Sequence, residues 1–108
     1  MARFVSPVSA PASAITRFAF RSRFTSAEKT AIELASLDVA AAPFATRAQS
    51  AALRVYMEDV SSTQWIDLLR TETRGGVQQL EALGLLAAGR AAVILDSAPQ
   101  DAERPVLR

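Results

Sequence analysis

Residues 17–35 read RFAFRSRFTSAEKTAIELA, and the division of this run between strand and helix decides the fold. Its second half is the plainer. Thr25-Ser26-Ala27-Glu28 is a capping-box pattern, in which the threonine hydroxyl accepts from the amide three residues on and the glutamate reaches back to the cap amide. A helix over about 26–37 follows, with Ala27, Ala31, Leu34 and Ala35 at helical spacing and Ile32 beside them. The first half has two readings. As a strand, Phe18, Phe20 and Phe24 fall on one parity and Arg17, Arg21 and Arg23 on the other, which sets an aromatic face against a basic one. As a helix, Ile15, Phe18 and Ser22 share a side instead. The alternation favours the extended form by a small margin.

Upstream, residues 1–14 (MARFVSPVSAPASA) are small, polar and broken by Pro7 and Pro11. Proline favours extended backbone in itself and in the residue before it, so an arm without regular helix is expected. Downstream, Ala40-Ala41-Ala42-Pro43 connects to a second long helix over about 47–62, with Thr46 as its cap and a stripe of Ala48, Ala52, Val55, Tyr56, Asp59 and Val60 facing inward. Ser61-Ser62-Thr63 are weak helix formers that end it. Trp65-Ile66-Asp67-Leu68-Leu69 is either an extended pass over the core or an irregular turn, with Trp65 a core or interface anchor. Thr71 and Glu72 open a third helix, in which Gly75 and Gly76 permit close approach of another backbone. Gly84 stands at the left-handed position after that helix, with Leu80 and Leu85 as the apolar pair of a Schellman ending. A fourth helix over about 87–95 turns Val93 and Ile94 to the core, and Pro99 opens a charged tail.

The expected fold is therefore all-α, with about four short helices, an extended N-terminal arm and a short C-terminal tail. Its parts are an arm over 1–24, a helical domain over 25–96 and a tail over 97–108. The arm could add a strand to a neighbouring chain by edge pairing.

Of 108 residues half are hydrophobic, but 22 of them are alanine. Alanine favours helix and contributes little burial, which suits a chain that completes its apolar burial at an interface. The net charge of +1 predicts nothing by itself. Its distribution is more telling: residues 1–24 carry four arginines and no acid, while the remainder is mildly acidic, so the arm can pair with the body of a neighbouring copy. No cysteine and no histidine are present, which removes the thiol nucleophile, the commonest general base and the commonest zinc ligands. Neither a cofactor nor a metal is expected. No apolar run is long enough for a membrane span, and no continuous apolar segment marks a signal peptide, so synthesis and use in a cytoplasm are expected.

Carboxylates are the remaining candidates for catalysis. Glu28, Glu33, Glu58, Asp59, Asp67 and Glu72 follow no spacing that selects an acid/base pair, and solvated charge is the ordinary role of such residues. The glycines match no phosphate loop. The chain is accordingly expected to be no enzyme. The segment Arg17, Phe18, Phe20, Arg21, Arg23 and Phe24 is the candidate functional site, for partner binding. Three roles are open to it: anchoring the arm to the core, docking a partner protein, or gripping nucleic acid. The last is disfavoured by the small number of cations.

Two blocks carry a family resemblance: Phe20-Arg21-Ser22-Arg23-Phe24-Thr25 with Glu28, Lys29, Ile32 and Ala35, and Gly76-Val77 with Leu80, Leu83-Gly84-Leu85-Leu86, Arg90-Ala91 and Ile94-Leu95. Together they resemble small proteins encoded among the tail and structural genes of tailed bacteriophages. The resemblance implies a non-enzymatic virion subunit made in the host cytoplasm, a tail, tail-fibre or baseplate adaptor held by other virion proteins in multiple copies. A small nucleic-acid-binding or regulatory protein and a phage assembly chaperone are the alternatives.

Overall fold

The computed structural model describes residues 10–106. In chain order these form β1 (Ala14–Ile15), α1 (Arg17–Ser22), α2 (Ser26–Ser36), α3 (Phe44–Ser61), β2 (Ile66–Asp67), α4 (Thr71–Ala82), α5 (Arg90–Asp96) and a 3-10 turn (Asp101–Glu103). The protein is mostly helical, with one small two-stranded sheet. The expectation for residues 1–9 lies outside the described residues.

The run is helix over Arg17–Ser22, not strand, and Arg23 and Phe24 lie in the turn that follows. Thr16 decides it: its side chain accepts from the Ala19 amide at 3.0 Å and caps α1. Helical spacing then separates Phe18 from Phe20, which alternation had placed together. Phe20 and, four residues on, Phe24 turn inward and meet edge to face, ring centroids 5.3 Å apart. Such a pair contributes about 1 kcal/mol beyond its burial. Phe18 turns outward and is 82% exposed.

The expected arm is also part of the body. Ala14 and Ile15 are fully buried, and β1 pairs antiparallel with β2, Ala14 opposite Asp67 and Ile15 opposite Ile66. Leu68 N–H donates to the Ser13 carbonyl at 3.1 Å, and Ser13 Oγ to Asp67 Oδ1 at 2.5 Å. This strand pairing is made within the chain, because the apolar pair Ala14-Ile15 finds Ile66 and Leu68 of its own core. The expected tail folds back too. Thr16 N–H donates to the Glu103 carbonyl at 2.7 Å, and Arg104 donates to the Ala12 carbonyl at 2.8 Å.

The capping box at Thr25 and Glu28 is present with both bonds, Glu28 N–H to Thr25 Oγ1 and Thr25 N–H to Glu28 Oε1. α2 buries Ile32 and Ser36, while Ala27 and Leu34 of the expected stripe are exposed. α3 starts at Phe44, three residues before expectation, with Pro43 and not Thr46 at its cap; Thr46 lies inside the first turn, and Pro43 (φ −57°, ψ 152°) stands just ahead of the helix, where its missing N–H forfeits no helical bond. Its inward face is Ser50, Leu53, Met57 and Val60, with Tyr56 beside them. Ala48, Ala52, Val55 and Asp59 of the expected stripe face out. Leu53 and Met57 carry more apolar area than the alanines, so the helix rolls to bury them.

α4 ends as the spacing predicts. Gly84 has φ +80°, Leu85 N–H donates to Leu80 O and Gly84 N–H to Glu81 O, both at 3.0 Å, which is the Schellman pattern. Glu81 then accepts from the Ala91 amide at 2.8 Å and satisfies the start of α5. α5 buries Ala91, Ile94 and Leu95 and leaves Val93 outside. The core gathers Ile15, Phe20, Phe24, Ile66, Val77 and Ile94 with their neighbours from every helix.

Candidate docking groove

The six residues singled out in the sequence divide into three groups. Phe20 and Phe24 belong to the core. Arg23 is an internal clamp. Its Nε and Nη2 donate to both carboxylate oxygens of Glu103 at 2.9 and 2.8 Å, and its Nη1 to the carbonyls of Ile94 and Ser97 at 2.7 and 2.8 Å. The Arg23 carbonyl in turn accepts from Arg90 at 3.0 Å, and Arg90 forms a two-pronged pair with Glu28. Both carboxyls are held below their usual range, Glu103 first by the hydrogen bond from Arg23 and Glu28 first by that from Arg90. The expected row of Phe18, Phe20 and Phe24 lying against a partner therefore does not exist, and Arg23 is already spent on the chain's own tail. Arg17, Phe18 and Arg21 remain at the surface.

Arg17 and Arg21, one helical turn apart, stand on the margin of an open groove of about 930 Å³ between α1, α2 and α3. Its floor is apolar: Phe20, Phe24, Ile32, Met57, Val60 and Leu80. The α2 edge carries Lys29, Glu33 and Leu37, and the α3 edge Arg54 and Glu58. Arg17 donates to the Ser61 carbonyl, and Arg54 to the Ser36 carbonyl at 2.5 Å, so the two arginines brace α3 at opposite ends of the groove. Asp38 closes the far end and is paired with Arg47 through two bonds of 2.7 and 2.8 Å. That hydrogen bond holds the Asp38 carboxyl below its usual range, so it stays ionised as an ion-pair partner and is poorly suited to donate a proton.

Tyr56 seals one side. Its ring lies directly over Gly76, where a Cβ would come within 1.9 Å of Cε1, and its hydroxyl donates to the Thr73 carbonyl at 3.2 Å. The close approach expected at the glycine pair is thus made by a ring at Gly76 alone; Gly75 has open space. Burial pushes the Tyr56 phenol up to about 12. The hairpin that walls the groove also bears most of the exposed apolar bulk. Leu34, Leu37, Val39, Phe44 and Val55 are five of the nine large exposed hydrophobics among the described residues. Trp65 is half-buried beside β2, outside the core cluster.

Arg17, Phe20, Arg21 and Phe24 of this groove stand out in the sequence, whereas Lys29, Arg54, Tyr56 and Met57 do not show there as its walls. The Lys29–Glu33–Leu37 spacing, one face of a helix, was the available signal. Among the described residues no group of three or more acidic, histidine or cysteine side chains gathers to hold a metal, and no helix is long and apolar enough to cross a membrane. No known protein family, curated protein or solved structure matches the chain.

Proposed function

We propose that the chain is a non-enzymatic structural subunit of a tailed-phage virion, a tail, tail-fibre or baseplate adaptor that works by protein–protein docking. The observation that carries the docking part is the open apolar groove beneath Arg17 and Arg21, on a chain whose two described ends are tied to each other. A floor of Phe, Ile, Met and Leu favours apolar side chains of another protein over phosphates or sugars. The exposed Leu34, Leu37, Phe44 and Val55 next to it extend the surface that a neighbour would cover. The virion part rests on the resemblance of the two sequence blocks.

Quantitative mass spectrometry of purified particles, produced by the genome that encodes the chain, tests this reading. A structural subunit is found at a fixed copy number per particle. A chain needed for assembly yet missing from finished particles is a chaperone instead. Gel-shift binding to nucleic acid that weakens steeply with salt would replace the docking reading with the nucleic-acid one.

A further inference from the structure

The charges around the groove are unevenly distributed, and this bears on what fills it. At the α1 end stand Arg17, Arg21 and Lys29, and among the described residues none of the three has a carboxylate in ion-pair contact. Midway stand Glu33 and Glu58, likewise without a basic partner in ion-pair contact. At the far end Asp38 is paired with Arg47, and Arg54 donates to the Ser36 carbonyl as Arg17 does to that of Ser61, so among the described residues the groove cations without such a contact are Arg21 and Lys29, both at the α1 end. The groove follows α2 from Lys29 to Ser36 and α3 from Arg54 to Ser61. At the helical rise this is a length of about 10–11 Å, which matches an apolar stripe of about two helical turns.

We propose that the groove seats an amphipathic helical segment of a partner protein, with carboxylates at the end that lies over Arg17, Arg21 and Lys29 and basic side chains midway, opposite Glu33 and Glu58. The inference rests on the docking reading and adds the chemistry of the partner. Three apolar side chains at i, i+3 or i+4, and i+7 would rest on Phe20, Ile32, Met57 and Leu80, the helix-in-groove mode of recognition. The flanking charges set its direction, because a reversed segment would carry its carboxylates to the Asp38 end and leave Arg21 and Lys29 unanswered. The chain's own first nine residues are a poor occupant, since they carry Arg3 and no acid.

The test uses the full chain and two fluorescent synthetic peptides of about 16 residues with the same leucine stripe. One has glutamates at one end and lysines in the middle; the other has the two charges exchanged. The first is expected to bind about tenfold more tightly at low salt, with the difference shrinking as salt rises. Arg21→Glu with Lys29→Glu is expected to weaken the first peptide about tenfold and to strengthen the second. Arg21→Gln with Lys29→Gln, a milder pair at the same surface, should give an intermediate loss.

Equal binding of the two peptides, or binding of neither, overturns the proposal. So does binding that emerges only after residues 1–9 are removed, which would make the chain's own arm the occupant. A concentration-dependent dimer that the peptide dissociates overturns it in favour of a second copy. Absence of the chain from finished particles would instead sink the virion reading and leave the peptide result standing.

Discussion

Around Arg23 a single guanidinium binds Glu103 through two bonds, takes up the carbonyls of Ile94 and Ser97, and so fastens the C-terminal segment to α1. Around the α2–α3 hairpin, a few helical turns away in the same chain, Leu34, Leu37, Val39, Phe44 and Val55 stand in solvent and a groove lies open between helices. The first region satisfies its polar groups internally, and the second leaves apolar area unburied. The contrast marks where this protein has finished folding and where it has surface left for something else. A buried charge must be answered within the chain, since an unpaired one costs several kcal/mol. Exposed apolar area carries no such immediate penalty and can wait for a partner.

Removing the clamp should produce the largest effect. The Arg23 and Glu103 side chains are only 9% and 18% exposed. Arg23→Ala is expected to cost about 3 kcal/mol, because it strands a nearly buried carboxylate and several carbonyls. Urea unfolding checks it, and a loss near zero would mean that the clamped end is no more finished than the groove.

The seam between the two regions is Tyr56 on Gly76. Gly76→Ala is expected to lower stability by about 2 kcal/mol through the clash with the ring. In a Tyr56→Ala background the same change should instead raise stability by about 0.5–1 kcal/mol, the ordinary gain of alanine over glycine in a helix. Thermal unfolding of the four chains of this cycle reads the sign change.

Acid should separate the regions as well. Glu103 and Glu28 both have lowered pKa values in the folded chain, so their stabilisation is complete above the ordinary value of 4.5 and is lost as pH falls from there through the folded values. Stability measured along that descent should drop in the wild-type chain and drop less in Arg23→Ala, which has already lost the Glu103 part. The smallest effect belongs to the open side. Phe44, 86% exposed, can be replaced in Phe44→Ser with a change within about 0.5 kcal/mol. A larger loss would show that the hairpin tip is structurally occupied and no more open than the Arg23 end.

Local chemistry made much of the helical plan legible. The Thr25–Glu28 capping box and the Leu80–Gly84–Leu85 ending were readable because each needs only residues a few positions apart. The helix faces were less so. In α2 and α3 the alanines repeat at helical spacing on more than one side, and alanine buries too little area to choose between them. Leu53 and Met57 chose, against Ala48, Ala52 and Val55. The candidate site was half legible: Arg17 and Arg21 could be found in the sequence, but not that Arg23, two residues on, belongs to the C-terminal segment.

Residue order alone makes this chain helical, places its sharpest helix boundaries, and closes cysteine and histidine chemistry to it. Long-range packing settled that the run from Arg17 is helix and that Phe18 is surface while Phe20 is core. It also decided that both described ends fold onto each other and that a groove with one cationic end remains. Capping and turn signals act over a few bonds and are written in neighbouring residues. A face, an ion pair across eighty positions such as Arg23–Glu103, and a groove between three helices are set by which distant side chains compete for the same interior.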